Sequence, residues 1–129
     1  MILLDTSFLI DYVRDSSLAG HLPEQENSAV TVISYFEILT GLQRLRSRRE
    51  EQFFRLFFSE VPILDFTRAA ADHAAFIGGQ LARTGTMVNT LDLMIAGIAK
   101  VNHIETILTA DEDFRAIAPL ANLVVKGYR

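Results

Sequence analysis

The chain opens on four apolar residues, Met1-Ile2-Leu3-Leu4, which stop at Asp5-Thr6-Ser7. A helical pattern follows at once, with Phe8, Leu9, Tyr12 and Val13 on one face. A short unbroken apolar run reads as a strand buried on both faces. A strand that passes through an acid into a helix puts a carboxylate at the carboxyl end of a parallel strand, where open α/β sheets bind their ligands. Function then depends on whether other acids gather around Asp5.

Strand and helix patterns alternate along the rest of the chain. Residues 6–15 read as the first helix, and residues 16–27 as loop around at most one short helix. The β-branched run 29–33 reads as a second buried strand. Ser34 then starts a helical hairpin over about 34–58. Residues 61–66 read as a short strand, with Pro62 suggesting an end or edge position. Thr67 looks like the cap of a long Ala-rich helix that ends before Gly85. Residues 91–101 are apolar nearly all round, which predicts a central buried helix. Residues 106–109 read as a strand, 112–117 as a short helix or turn, and 123–125 as a last strand. This alternation predicts an α/β fold: a central parallel sheet of about four to five strands with helices on both faces. The 129 residues bound it to one domain, residues 1–129.

Composition narrows the class. Half the residues are hydrophobic and 22% are charged, which is globular rather than disordered. No apolar stretch is long enough to span a membrane, and no secretory signal is visible at the amino terminus. The chain has no cysteine, so disulfides, thiolate metal sites and cysteine nucleophiles are excluded. That suits a reducing compartment, and a cytoplasmic location is the expectation. The net charge of −4 speaks against a broadly basic nucleic-acid binder. Four clustered carboxylates would account for all of it and leave room for a local basic patch.

Four acids fall at junctions of this plan. Asp5 ends the first strand. Glu37 lies in the first turn of the helix after the second strand, and Asp92 in the first turn of the buried helix. Asp111 follows the strand at 106–109, with Asp113 two residues on. In a parallel fold these junctions can share one edge of the sheet. Clustered carboxylates there would repel one another unless a cation neutralised them. Oxygen ligands without cysteine or a histidine pair point to Mg²⁺ or Mn²⁺ rather than Zn²⁺. Each acid also has a purely structural reading. Ser34-x-x-Glu37 and Asn89-x-x-Asp92 have capping spacing, Asp111 could cap the helix after it, and Asp5 could hold a turn. Capping does not require acids at the ends of different strands, whereas a metal site does. His21, His73 and His103 are read as non-catalytic.

Four motifs, Leu3-Leu4-Asp5-Thr6-Ser7, Glu37-Ile38-Leu39-Thr40-Gly41, Asp92-Leu93-Met94-Ile95-Ala96 and Thr109-Ala110-Asp111-Glu112-Asp113-Phe114, occur in this order. In wording and spacing they resemble the PIN-domain family, and the size is similar to the VapC-type toxin ribonucleases of prokaryotic toxin–antitoxin pairs. The resemblance covers essentially the whole chain. It implies a PIN-like three-layer fold and a Mg²⁺- or Mn²⁺-dependent endoribonuclease with an acidic pocket. Carried over position by position, Asp5, Glu37 and Asp92 match the three main acids and Asp111 the fourth. Thr6 and Thr109 match hydroxyls that bond to those acids or to water beside the ion. Asp113 is read first as stabilising the turn before Phe114 and second as a neighbour of the site. Asp5, Asp92 and Asp111 are expected as ligands, with Glu37 binding a second ion or orienting the attacking water. The resemblance also implies a homodimer and a VapB-type antitoxin that wraps the toxin, in a larger hetero-oligomer, and blocks the pocket.

RNA must also be held by its phosphates. Arg44, Arg46, Arg48, Arg49 and Arg55 crowd one segment, and the first four are the expected RNA contacts. The competing reading is a solvated face with pairs such as Arg46–Glu50. Phe53, Phe54, Phe57 and Phe58 cannot all face one core from a single helix, so some are expected to cover a partner unless other helices wedge the segment. A haloacid-dehalogenase-type phosphatase would need an acid where Ser7 stands. A receiver domain would need a paired acid and a suitable lysine, and only Lys100 and Lys126 exist. A PIN nuclease outside a toxin system and a non-catalytic interaction module remain as alternatives.

Overall fold

The computed structural model describes residues 1–129. Five strands, β1 (Ile2–Leu4), β2 (Ser28–Thr31), β3 (Ile63–Leu64), β4 (Thr106–Leu108) and β5 (Val124–Lys126), form one sheet in the order β3-β2-β1-β4-β5. Every pairing is parallel. Six α-helices connect them: α1 (Thr6–Arg14), α2 (Val32–Leu45), α3 (Arg48–Glu60), α4 (Arg68–Arg83), α5 (Thr90–Val101) and α6 (Asp113–Ala121). The stretch between α1 and β2 holds two short 3-10 turns, Ser16–His21 and Gln25–Asn27. The α/β expectation therefore holds, with helices on both faces.

The two faces follow from the alternation of side chains along each strand. Leu3, Ala29 and Ile107 point into one core with α4, α5 and α6. Leu4, Val30 and Leu108 point into the other with Phe8 and Leu9 of α1, Ile38 of α2 and Phe54 of α3. Each strand is thus apolar on both sides, as a covered parallel sheet requires. β1 is central. The chain leaves it toward β2 and later returns on its other flank as β4. This change of direction opens a crevice at the carboxyl ends of β1 and β4, where such sheets take their ligands.

Three boundaries differ from the expectation. The second strand stops at Thr31, whose hydroxyl accepts from Ser34 N at 3.1 Å and caps α2. Val32 and Ile33 look like strand residues by type, yet they form the first helical turn. Ile33 is buried there against the α5 side of the sheet, and tertiary burial outweighs its β preference. The last helix runs past Ile117 to Ala121, with Pro119 inside it and Asn122 in the left-handed conformation as its cap. Pro119 is exposed, while Ile117, Ala118 and Ala121 are buried. The apolar face holds the helix although the ring removes one hydrogen bond. The third strand shrinks to two edge residues.

α4 and α5 cross very closely. A Cβ added at Gly97 would stand 2.2 Å from Ala70 O and 3.0 Å from the Ala74 Cβ. The Ala-rich face of α4 therefore meets a glycine in the carboxyl half of α5. The four phenylalanines of α3 are accounted for within the chain. Phe54 is fully buried, and Phe53, Phe57 and Phe58 are half-buried. Phe53 meets Tyr12 at 5.7 Å and Phe58 meets Tyr35 at 4.9 Å. The exposed apolar residue of that helix is Leu56 instead. No helix is long and apolar enough to cross a membrane.

Candidate functional site

Asp5 ends β1 and precedes α1, with its N–H on Leu108 O across the β1–β4 crevice. Its side chain is buried. Oδ2 accepts from the Thr109 hydroxyl at 2.7 Å and the Ser7 hydroxyl at 3.0 Å. Oδ1 is buried with no partner at all. Burial pushes the carboxyl above its usual range. The bonds from Thr109 and Ser7 and the neighbouring Thr6 N–H dipole work against that push, and the charge of Asp111 adds to it.

Glu37 reaches the crevice from α2. Because α2 starts at Val32, Glu37 lies in its second turn rather than its first, and the expected Ser34–Glu37 capping box does not form. The Glu37 carboxylate accepts instead from the Thr6 hydroxyl at 2.8 Å, and that hydroxyl also lies 2.8 Å from Ser34 Oγ. Burial raises the Glu37 carboxyl, Thr6 lowers it, and the charges of Asp5 and Asp111 raise it further.

Asp92 lies in the first turn of α5, where Asn89 is the cap and accepts from Leu91 N at 2.8 Å. The Asp92 side chain does not complete a capping box; its Oδ2 is buried without a partner. Burial, then the adjoining Asp111 carboxyl, then the charges of Asp5 and Asp113 push it up to about 9. Asp111 follows β4. Its N–H donates to Thr109 Oγ1 at 3.0 Å, and its Oδ1 accepts from Asp113 N at 2.9 Å. Asp111 is therefore the residue that holds the turn before Phe114. Asp113 instead turns toward the site, with its Oδ2 accepting from Asn89 N at 2.8 Å. Carboxylate oxygens of Asp92, Asp111 and Asp113 lie within 4.8 Å of one another.

The arginines do not form one stripe. Arg44 lines a groove of about 610 Å³ with Thr6 and Glu37. Arg46 and Arg48 line a separate hollow between α2 and α3. Arg49 donates to Val13 O at 3.2 Å at the end of α1. Nor does the Arg46–Glu50 pair form, since Glu50 pairs with Arg14 at 3.4 Å and Arg55 with Glu51 at 2.9 Å. Arg14, which the sequence left scattered, joins Arg44 in the groove beside Glu37. Ser7, Ser34 and Asn89 also serve the site, although the sequence marks Ser34 and Asn89 only as caps and Ser7 only as the position where a phosphatase would carry an acid. Each is a small polar residue next to a site acid or at a helix start, and only the folded contacts separate it from ordinary caps.

The donor set decides what the pocket can hold. The acids supply oxygen only, with His21, His73 and His103 outside the group. Two buried carboxylate oxygens have no hydrogen-bond partner. The chain's four ion pairs all use other acids, so no arginine or lysine neutralises the cluster. Such a set suits a hard divalent cation, which would satisfy the orphaned oxygens and offset their repulsion.

Comparison with known proteins agrees with this geometry. The family model described as PIN domain matches residues 2–120. The tRNA(fMet)-specific endonuclease VapC of Salmonella typhimurium is 31% identical over 103 residues, 75% of this chain and 76% of that protein. The tRNA(fMet)-specific endonuclease VapC of Shigella flexneri is 27% identical over 97 residues, 74% of each. Among solved structures, VapBC2 from Rickettsia felis bound to a promoter DNA fragment superimposes with a TM-score of 0.80 at 22% identity over the whole of both chains. VapBC-5 from Mycobacterium tuberculosis has a TM-score of 0.72 at 28% identity, covering 98% of this chain and 96% of that one. The chain belongs to the PIN-domain family.

Proposed function

We propose that this PIN-domain chain is the ribonuclease toxin of a VapBC-type toxin–antitoxin pair and that Asp5, Glu37, Asp92 and Asp111 form its catalytic, ion-binding pocket. The observation that carries the reading is the convergence of these acids from separate elements, with two buried oxygens unpartnered and no cation of the chain among them. Mg²⁺ or Mn²⁺ is the ion proposed, since both take oxygen ligands and neither needs cysteine or histidine. When bound, such an ion supplies a water of lowered pKa and charge to offset the phosphoryl oxygens.

The residues divide the remaining work. Asp5, Asp92 and Asp111 present ligand oxygens, and Asp113 stands beside them. Thr109 and Ser7 anchor Asp5 Oδ2, so Asp5 Oδ1 is left without a hydrogen-bond partner. Thr6 holds Glu37 by one oxygen. Burial and the charges of Asp5 and Asp111 keep the Glu37 carboxyl more basic than usual, which suits taking a proton from the attacking water. Arg44 and Arg14 line the groove beside Glu37 and are placed to meet phosphates on the way in.

The curated relatives are named for initiator tRNA, so that RNA is the first substrate to test. The solved relatives include complexes with VapB-type antitoxins, and such an antitoxin is the proposed partner, with a toxin homodimer inside the larger assembly. The deciding assay is cleavage of initiator tRNA and of a mixed RNA pool by purified protein, with Mg²⁺ or Mn²⁺ and with EDTA, beside Asp5→Asn and Asp92→Asn. Cation-dependent cleavage lost in both variants is the expected result. Cleavage equal in wild type and variants would refute the pocket assignment.

A further inference from the structure

Gly41 lies inside α2, one turn after Glu37, and nothing in the chain requires a glycine there. Its backbone is helical, and the glycine with a left-handed φ is Gly85. A Cβ added at Gly41 would meet no atom within 4 Å, so no neighbour needs the space. Glycine in a helix interior weakens the helix relative to alanine. What glycine does offer is a bare backbone that something outside the chain can approach closely.

The surroundings narrow what that is. Gly41 lines the groove of about 610 Å³ that also holds Thr6 and Glu37. On α1 the lining residues are Thr6, Ile10 and Arg14; on α2, Glu37 and Gly41 form one row and Phe36, Thr40 and Arg44 the next. Residues four apart stack along one face of a helix. Both helices start at the carboxyl ends of their strands, where the Thr6 hydroxyl bonds to Glu37. The groove therefore leads from the acidic pocket, past Gly41, to two arginines. From Glu37 to Arg44 the helix rises about 10 Å, which is room for a nucleotide and the phosphate that follows it. Phe36 stands 58% exposed beside Glu37. Arg14 is held by Glu50 at 3.4 Å, whereas Arg44 is exposed and joins no ion pair. An open aromatic ring, an uncovered stretch of helix and a free guanidinium follow one another in the order of base, ribose and phosphate. Base stacking on aromatic rings and phosphate pairing with arginine are how proteins hold single strands. A free guanidinium in a groove that starts at the acidic pocket favours RNA over a protein segment.

We infer that Phe36 and Gly41 form the nucleotide-binding floor for RNA entering the pocket: a base stacks on Phe36, its ribose lies on the bare helix at Gly41, and Arg44 takes the next phosphate. The inference rests on the reading of the pocket as a ribonuclease site.

The test uses the full chain with Mg²⁺ and measures binding of a fluorescently labelled single-stranded RNA pool by anisotropy, in an Asp5→Asn background that does not cleave it. Thermal unfolding and Mn²⁺ titration are read on the same substitutions with Asp5 intact. Gly41→Ala should melt about 3–5 °C above its parent and keep its Mn²⁺ affinity, yet bind RNA about tenfold more weakly. Gly41→Gln should bind more weakly still. Phe36→Ala and Phe36→Leu should each lose about tenfold, because leucine keeps the apolar surface but not the stacking face. Arg44→Gln should lower the salt dependence of binding by about one unit of slope. Parental RNA affinity in both Gly41 variants, or in Phe36→Leu, would overturn the inference and leave the groove to a protein partner. A Gly41→Ala that melts below its parent would overturn it as well, since the space above the glycine would then not be open. Failure of the ribonuclease reading shows separately: cleavage that survives Asp5→Asn, or no RNA binding by the parent, overturns that reading and this inference with it.

Discussion

Replacing Asp92 with asparagine should make the metal-free protein more stable while it destroys the activity. Asp92 is 6% exposed, and its carboxyl is pushed up to about 9 by burial first and by Asp111, Asp5 and Asp113 after it. Between its ordinary value of 3.8 and about 9 the folded chain binds more protons there than the unfolded chain does. Stability therefore falls as pH rises through this window and levels off above it. Each tenfold of proton affinity corresponds to about 1.4 kcal/mol. The unscreened cost at pH 7 is thus on the order of 4 kcal/mol. Relaxation and water penetration around a buried carboxylate offset part of it, which leaves about 2 kcal/mol. Asparagine has nearly the same shape and never ionises. In EDTA at pH 7, Asp92→Asn should melt about 5–10 °C above wild type, and the two should converge near pH 4. Divalent ions should raise the melting temperature of wild type far more than that of the variant. The assay is thermal unfolding across pH 4 to 9, with and without Mg²⁺. A variant less stable than wild type at pH 7, or a difference that does not change with pH, would refute the claim that uncompensated acids strain this pocket.

Gly97→Ala should cost about 3 kcal/mol in urea unfolding, because overpacking would force α4 and α5 apart at Ala70 O; an unchanged midpoint would mean that the helices do not cross so closely. Thr109→Val removes the donor to Asp5 and the acceptor for Asp111 N. It should cost about 1–3 kcal/mol in the same unfolding assay and weaken Mn²⁺ binding, and Thr109→Ser should restore both. Thr31→Ala removes the cap that starts α2, with an expected loss of about 1 kcal/mol by denaturant unfolding. Since that start sets the helical position of Glu37, cleavage should fall as well.

The sequence placed the sheet, the helices and the four acids, because each rests on a local signal: an apolar run, a helical period, an acid at a junction. It misplaced the start of α2 by reading Val32 and Ile33 as strand, and that error also produced a capping box for Glu37. The residue types were strand-like, but burial of Ile33 and the Thr31 cap act through contacts that residue type does not encode. Asp111 and Asp113 are two apart in one turn, and their roles could not be separated until Asn89, 24 residues earlier, supplied the N–H that Asp113 accepts. The arginines looked like a stripe in sequence, yet the αL cap at Arg46 turns the chain between α2 and α3 and divides them. Tyr128 gave no signal at all. Its partners Phe8 and Asp11 lie more than a hundred residues away, at the other end of the chain.

The choice of groups that hold the acids is itself informative. Four acids away from the pocket, Asp11, Glu50, Glu51 and Glu112, are paired with arginines. Asp5 and Glu37 are held instead by the neutral hydroxyls of Thr6, Ser7 and Thr109. A hydroxyl fixes the orientation of a carboxylate without cancelling its charge. The negative field is thereby kept for something that arrives from outside, and in its absence Asp92 takes a proton. An arginine engineered into the pocket should behave as an internal inhibitor. Thr6→Arg, at the rim beside Glu37, is expected to raise stability in EDTA, to reduce the stabilisation given by Mg²⁺, and to suppress cleavage. Unfolding with and without Mg²⁺ and RNA cleavage read all three. If Mg²⁺ stabilised Thr6→Arg as strongly as wild type, the charge left open by those hydroxyls would not be the feature that recruits the ion.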